Sequence, residues 1–286
     1  MKSRSLIELV CICCLTYVSC TKENNLHFES DEKANDVPEV NIISDATTLN
    51  PEKVLSYGDS VFYISEKTNN IIYPVQQMGS GKYLAFPGGL EIDSLTGAID
   101  IAESETGLRY RVMFVPEHSN DTLSVKIVLS GINFYDQIFN LSKGDSMAYA
   151  IYNASGIPFV QGQFGVGKSC KFDDGNGCTK QGFAVSGTEG HLNLAQSLRN
   201  GALPLKNGSV KETVYYYRMD DRSEKALNKL KVKLYVYNTV NDIPAYLWDI
   251  ILKERTGTII PALHASSGLR ARTASPRPPC LIIVMN

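Results

Sequence analysis

An internal repeat constrains the fold of this chain more than any other feature of its sequence. Residues 89–101 (GLEIDSLTGAIDI) align without a gap with residues 182–194 (GFAVSGTEGHLNL), an offset of 182 − 89 = 93 positions. Both copies place apolar residues at the same four sites and keep a central glycine, Gly97 and Gly190. Alternation of apolar and polar residues is typical of a half-buried strand, and glycine takes the positive φ of a tight turn. Each copy therefore predicts a two-stranded hairpin.

Further alternating segments follow each copy of the repeat. They are residues 109–115, 124–129, 214–219 and 231–237. Many short strands separated by turns favour β-sandwiches over parallel sheets. The chain has 286 residues, of which 43% are hydrophobic, so it is long enough for two domains with cores. We therefore predict an all-β fold class with tandem domains at residues 41–132 and 133–240.

The first hairpin contains Asp93, Thr96 and Gly97 in the order Asp-x-x-Thr-Gly. Residues 89–99 resemble the strand–turn–strand of cadherin-like and related bacterial immunoglobulin-like repeats. Asp93 and Thr96 can accept hydrogen bonds from turn amides, which explains their spacing; the second copy lacks both. The resemblance implies tandem immunoglobulin-like (cadherin-like) β-sandwiches with Greek-key topology, and it implies no common ligand.

The N-terminus has the composition of an export signal. Two basic residues precede an apolar run at residues 9–18, which ends in Val18-Ser19-Cys20. This order is typical of a secretory signal peptide, and the run is shorter than the roughly 20 residues of a spanning helix. Its end resembles the bacterial lipobox. That resemblance implies cleavage before Cys20, acylation of Cys20 (palmitate) and an outer-membrane lipoprotein on the periplasmic or cell-surface side.

Four segments lie outside the two predicted sandwiches. Residues 1–19 are the predicted signal peptide, and the polar, acidic residues 20–40 are a lipidated tether. Residues 241–257 have helical apolar spacing, with Asp242 as a cap, and predict a short C-terminal helix. Residues 258–286 shift in composition and predict a disordered tail; an altered reading frame of the gene is the other explanation.

Three cysteines lie beyond the predicted leader and anchor, namely Cys170, Cys178 and Cys280. An envelope or extracellular location permits disulfides. Cys170 and Cys178 bracket a polar, glycine-containing loop that can bring them together. We therefore predict a disulfide between Cys170 and Cys178, with two free thiols as the alternative, and an unpaired Cys280.

For the other candidate sites, an ordinary structural role explains the residues better than a functional one. Residues 162–169 match the phosphate-loop pattern, but no helical pattern follows, so a glycine-rich β-loop is favoured. The acidic loop at 173–176 and the cadherin-like Glu105 offer too few oxygen ligands for calcium. None of the four histidines pairs at metal-ligand spacing, and His191 is expected to face outward. We predict no catalytic residues, no cofactor and no metal site.

Four hydroxyl residues follow an aspartate and precede an apolar residue. They are Ser60, Ser94, Thr122 and Ser146. This triplet resembles an O-glycosylation site of some gram-negative envelope proteins, which implies a sugar on at least one of them. The alternative is ordinary turn chemistry ahead of a strand.

These observations predict a non-enzymatic binding or adhesion module. The net charge of −2 and pI of about 6.1 argue against nucleic acid as a partner. The chain has 15 tyrosines, whose faces suit sugar rings, so polysaccharide or a cell-surface protein is the expected ligand, with the membrane reached through the lipid anchor. Two alternatives remain, an envelope glycan-acting enzyme (or enzyme-associated domain) and a structural spacer.

Overall fold

The computed structural model describes residues 53–118, 122–166, 169–254 and 278–286. They belong to one compact unit, Pro51–Asn286, that is mostly β-sheet. The predicted signal peptide, the predicted lipidation residue Cys20 and the predicted tether lie outside the described residues. Within the described ranges, no helix is both long and apolar enough to cross a bilayer.

The described part of the N-terminal half, residues 53–131, contains seven strands in two sheets. The strands are β1 (Val61–Phe62), β2 (Ile71–Ile72), β3 (Gly81–Phe86), β4 (Glu91–Ile92), β5 (Ile99–Asp100), β6 (Arg109–Pro116) and β7 (Leu123–Leu129). One sheet has the order β1-β7-β6-β3 and the other β2-β5-β4. β1 runs parallel to β7, whereas the other pairs are antiparallel.

Both sheets of the N-terminal half contribute to one hydrophobic cluster. On β6, Tyr110 and Val112 are buried on either side of the exposed Arg111, which is the alternation that the sequence predicted. The smaller sheet adds Ile99, which is fully buried in the same cluster. The two sheets therefore enclose a shared core.

The C-terminal half comprises residues 132–254 and 278–286. Its described strands are β8 (Ile132–Phe134), β9 (Gln137–Asn140), β10 (Met147–Ala148), β11 (Ala150–Tyr152), β12 (Lys171–Phe172), β13 (Ala184–Val185), β14 (Leu192–Asn193), β15 (Ser209–Arg218), β16 (Asn228–Tyr237) and β17 (Cys280–Val284). Its described α-helices are α1 (Gly177–Lys180), α2 (Leu194–Arg199) and α3 (Ala245–Asp249). The sheet orders are β12-β15-β16-β17-β9, β10-β14-β13 and β11-β8.

The hairpin repeat is confirmed residue by residue. The first copy pairs Glu91 with Asp100 and Ile92 with Ile99, and the second pairs Ala184 with Asn193 and Val185 with Leu192. Each second-copy residue lies 93 positions after its counterpart. The turn glycines Gly97 and Gly190 have φ values of 72° and 75°, where most other residues would be strained. The local pattern was therefore sufficient to predict both strand pairing and turn.

The end of the chain corrects one expectation. Residues 280–284, predicted to belong to a disordered tail, form β17, which runs parallel to β16 on one side and β9 on the other. All five residues are at most 2% exposed. A strand buried on both faces is continuously apolar and lacks alternation. The prediction failed because both neighbouring strands lie far away in sequence. Residues 258–277 of the predicted tail lie outside the described residues.

A helix forms inside the predicted segment 241–257, but it begins later than expected. α3 starts at Ala245 and continues as a π-helical turn, Ile250–Glu254. Asp242 does not cap α3; its Oδ2 accepts hydrogen bonds from the N–H and hydroxyl of Thr239 in a preceding 3₁₀ turn. Leu247 is fully buried in a cluster that β16 and β17 share with α3. The apolar stripe of the helix therefore packs on its own half.

A buried polar cluster joins the two halves. The Tyr217 hydroxyl lies 2.6 Å from Thr106 Oγ1 and accepts the N–H of Ile132 at 3.1 Å. Asn133 Nδ2 donates to Glu105 Oε1 at 3.0 Å and to the carbonyl oxygen of Thr106 at 2.7 Å. All five residues are at most 6% exposed. Buried polar groups that satisfy one another specify one arrangement, so this cluster holds the two halves in a defined orientation.

Candidate binding site

A cavity of about 140 Å³ lies in the C-terminal half. Its floor includes the buried residues Phe134, Phe139 and Leu281, and its rim includes the exposed residues Gln137, Tyr149 and Pro158. The exposed rim makes the cavity accessible from solvent. A cavity of about 150 Å³ accepts benzene, so this one matches a single six-membered ring in size.

Strand pairing brings these distant residues together. Phe134 on β8 pairs with Ala150 on β11, which places it beside Tyr149. Gln137 on β9 pairs with Leu281 on β17, so a floor residue and a rim residue are neighbours in one sheet. The cavity therefore depends on β17.

The aromatic residues of the cavity are held in place by further contacts. Tyr135 also lines the cavity, and its hydroxyl donates to the carbonyl oxygen of Gly156 at 2.8 Å. The Tyr149 ring contacts the His191 imidazole edge-on, with centroids 5.0 Å apart. Tyr149 nevertheless remains 48% exposed. The contact with His191 supports one edge of the ring and leaves the rest of its surface accessible to solvent.

His191 corrects another expectation, since it was predicted to face outward. The side chain is buried, and its Nδ1 accepts the N–H of Ala150 at 3.2 Å. Burial lowers the pKa of His191, although nearby Glu189 acts in the opposite direction. A neutral imidazole is required to accept that hydrogen bond. His191 therefore supports Tyr149 and β11 structurally; its counterpart Ala98 gave no indication of this because alanine needs no hydrogen-bond partner.

The cavity is mainly apolar and has few polar side chains in its lining. Among the described residues that line it, none is acidic, basic or a cysteine, serine or threonine. Its side-chain polar atoms are the Gln137 amide and the hydroxyls of Tyr135 and Tyr149. Apolar surfaces with a few polar groups at the edge hold and orient a small ring. The lining contains no pair of carboxylates of the kind used for glycoside hydrolysis.

The predicted O-glycosylation residues lie in different loops and turns. Ser60 directly precedes β1, Ser94 lies in the β4–β5 turn, Thr122 directly precedes β7 and Ser146 directly precedes β10. Asp59 Oδ1 accepts the N–H groups of Ser60 and Val61, and these bonds lower the pKa of Asp59. Turn chemistry thus explains the aspartate at that triplet. Modification of the four residues stays a prediction.

The predicted Cys170–Cys178 disulfide is wrong, because all three described cysteines are free thiols. Cys170 lies 3.5 Å from Asp220 Oδ1, whereas the Cys178 thiol donates to the carbonyl oxygen of Val214 at 3.4 Å. The loop between the cysteines is not free to close, since Asp173 accepts the N–H of Cys178 at the start of α1. Burial raises the pKa of both thiols to about 11, so they are protonated at neutral pH.

The acidic loop at residues 173–176 is neutralised by protein groups. Asp173 Oδ2 accepts the N–H and hydroxyl of Thr179. Lys171 and Arg218 hydrogen-bond to Asp174 and hold the pKa of its carboxyl below the usual range. In the part of the chain that the structure describes, no group of three or more histidine, cysteine or acidic residues could hold a metal ion.

Residues 162–169 match the phosphate-loop sequence pattern, but the structure beside them is not that of a phosphate loop. Residues 167–168 lie outside the described residues. Gln163–Gly165 is a single 3₁₀ turn. The loop leads into the strand β12 at Lys171, where a phosphate loop leads into a helix. The described flanks therefore match the glycine-rich β-loop that the sequence favoured.

Sequence analysis linked the tyrosines to sugar binding, but it identified none of the residues that line the cavity. The cavity brings together residues from distant parts of the C-terminal half that share no sequence spacing, namely Tyr135, Gln137, Tyr149 and Leu281. The high tyrosine content was the available indication. The four residues meet through pairing of β8, β9, β11 and β17, which no local pattern reports.

No protein-family model and no curated protein sequence matches this chain. A structure of human protocadherin-24 EC1-2 is 10% identical with a TM-score of 0.22, and the match covers 64% of this chain and 95% of that one. A structure of Drosophila OTK extracellular domains 3–5 is 11% identical with a TM-score of 0.16, covering 57% of this chain and 54% of that one. The similarity to cadherin and immunoglobulin-like extracellular domains is weak, and it carries no conclusion about function.

Proposed function

We propose that the two halves are tandem immunoglobulin-like sandwiches with a cadherin-like strand order. The order β1-β7-β6-β3 in the first half corresponds to β9-β16-β15-β12 in the second once β17 is set aside. The order β2-β5-β4 likewise corresponds to β10-β14-β13. A duplicated Greek-key arrangement explains why the hairpin repeat recurs at a constant offset.

The function that the geometry supports best is non-enzymatic binding of polysaccharide by the C-terminal sandwich. The observation that carries this proposal is the ring-sized cavity with Tyr149 exposed at its rim. The flat face of Tyr149 suits the apolar face of a sugar ring, and the Gln137 amide can donate to and accept from its hydroxyls. The absence of acids and nucleophiles among the described lining residues favours binding over hydrolysis.

We expect Tyr149→Ala to weaken glycan binding about tenfold or more, because the main exposed contact surface is lost; tenfold corresponds to about 1.4 kcal/mol. Tyr73→Ala is the matched control, since Tyr73 is 59% exposed and lies in the N-terminal half, away from the cavity. A glycan array with the full chain identifies the ligand, and calorimetry then compares the affinities of the two variants with the unchanged chain.

Three results would contradict this proposal. The first is an array on which the full chain binds no glycan, and the second is equal weakening by Tyr149→Ala and Tyr73→Ala. The third is release of reducing ends from the bound glycan during incubation with purified protein, which would indicate hydrolysis and favour the enzyme alternative.

The lipid anchor at Cys20 completes the proposal, because a binding module of the envelope acts at a membrane surface. Two or more acyl chains on one residue make attachment nearly permanent. We expect Cys20→Ala to abolish incorporation of labelled palmitate and to release the protein from the membrane fraction. Cys14→Ala is the control and should leave both unchanged, since Cys14 lies inside the predicted leader. Unchanged labelling of the Cys20→Ala variant would exclude this anchor.

A further inference from the structure

One histidine anchors a segment that forms part of the cavity wall and rim. Ala148, Tyr149 and Ile151 all line the cavity. His191 Nδ1 accepts the N–H of Ala150 at 3.2 Å, and this N–H belongs to the peptide group that joins Ala150 to Tyr149. The imidazole also contacts the Tyr149 ring. His191 therefore supports both the backbone and the side chain of the exposed rim residue.

The hydrogen bond to Ala150 requires a neutral imidazole. A neutral histidine has one ring nitrogen that accepts, whereas both ring nitrogens of a protonated histidine are donors. Protonation would therefore direct the N–H groups of His191 Nδ1 and Ala150 toward each other. Water does not readily replace the lost acceptor, because His191 is 6% exposed and Ala150 is fully buried.

The titratable groups in contact with His191 come from its own turn and from the segment packed against it. Glu189 lies in the turn between β13 and β14, with its Oε2 3.7 Å from His191 Nε2, and it favours the protonated form. Tyr149 is the contact from the packed segment. Burial of the imidazole has the larger effect, so the pKa of His191 lies below its ordinary value of 6.5. The imidazole is therefore neutral at neutral pH, and it becomes protonated as the pH falls through that lowered pKa.

We propose that His191 is a positioning residue that makes ligand binding at the cavity depend on pH, with the ligand held at neutral pH and released in acid. The inference rests on the proposed function, because the cavity is the site that His191 regulates. Protonation breaks the bond to Ala150, and the peptide group that follows Tyr149 then loses its support at the rim.

The size of the effect follows from the fraction of molecules in which His191 is neutral. At one pH unit below its pKa, about one-tenth of the molecules keep a neutral imidazole, and the apparent affinity falls in proportion to the competent fraction. We therefore expect binding to weaken about tenfold between neutral pH and that point.

Calorimetry of the full chain with the glycan selected on the array, at several pH values between about 8 and 4, measures this dependence. His191→Asn keeps an acceptor close to the position of Nδ1, and its amide does not titrate. We expect this variant to retain binding within about twofold and to lose the pH dependence. His118→Asn is the matched control, because the His118 side chain is 88% exposed and also lies beside a glutamate, Glu117. It should leave the pH dependence unchanged.

Hydrogen-exchange protection of the Ala150 amide tests the inference without any ligand. In the unchanged chain we expect protection at neutral pH and its loss in acid, whereas the His191→Asn variant should stay protected in acid. Glu189→Gln removes the carboxylate that favours the protonated imidazole, so it should shift the loss of protection to lower pH.

The two measurements separate failure of this inference from failure of the proposed function. Loss of Ala150 protection in acid, with no glycan bound at any pH, supports the pH-dependent rim and rejects glycan as its ligand. Protection that persists in the unchanged chain to about pH 4 overturns the inference. Equal loss of protection in the unchanged chain and in the His191→Asn variant also overturns it, as does glycan binding that stays constant while Ala150 loses protection. An unshifted midpoint for Glu189→Gln has the same consequence.

Discussion

Replacing Ile283 by aspartate is expected to lower the free energy of unfolding by about 4 kcal/mol or more. Ile283 is fully buried, and its neighbours in the sheet are Val236 on β16 and Phe139 on β9. The substitution removes an apolar side chain from the core and brings a carboxyl group into it.

Urea denaturation of the full chain, followed by far-UV circular dichroism and by fluorescence of Trp248, measures this effect. Trp248 is the single tryptophan and packs beside the cluster that β17 shares with α3. Ile283→Val should cost only about 1 kcal/mol, since it removes one methylene. Asn286→Asp adds the same charge at an exposed position and should change the free energy of unfolding by less than about 0.5 kcal/mol. An unchanged midpoint for Ile283→Asp would exclude β17 from the core sheet.

Gly107→Ala is expected to lower the free energy of unfolding by about 3 kcal/mol or more. The reason is that it disturbs the junction, which is the buried polar cluster that joins the two halves. A Cβ at Gly107 would lie 2.5 Å from the carbonyl carbon of Ile132 and 2.7 Å from the nitrogen of Asn133. Backbone atoms must then shift, and the same backbone segment carries the N–H that Tyr217 accepts. The substitution therefore disturbs the hydrogen bonds of the junction as well as the turn itself.

Gly201→Ala isolates the contribution of the backbone conformation. Gly201 has a φ of 76°, close to the 74° of Gly107, but a Cβ there meets nothing within 4 Å. Gly201→Ala should lower the free energy of unfolding by about 1 kcal/mol, which is the cost of holding alanine at positive φ. Urea unfolding of both variants gives the difference, which reports the close approach at the junction. Equal losses for the two variants would mean that the junction is not tightly packed at Gly107.

The sequence was sufficient for features that depend on residues close together in the chain. The hairpins at residues 89–101 and 182–194 were predicted with their pairing because alternation and a turn glycine are local properties. The helix near Leu247 was predicted for the same reason, although its start was displaced because Asp242 bonds to Thr239 instead. The hydrogen-bond partners of side chains determine where a helix begins, and the spacing of apolar residues does not reveal those partners.

Expectations about the contact partners of single side chains were less successful. The eight-residue separation of Cys170 and Cys178 suggested a bond, but Cys178 lies in α1, donates its N–H to Asp173 and is fully buried in the core. His191 was expected on the surface because its counterpart is Ala98, yet Tyr149 and the Ala150 amide enclose it. In each case a contact from a distant strand or a loop carboxylate determined the outcome.

The sequence by itself determined that this is a mostly β chain with a duplicated hairpin, because period-two alternation and glycine turns act over a few residues. Only the tertiary structure decided that residues 280–284 are a core strand, and that Gln137, Tyr149 and Leu281 surround one cavity. Strand neighbours in a sheet are chosen by burial and backbone hydrogen bonding between distant segments. The whole fold determines which strands become neighbours, so local sequence patterns cannot predict them.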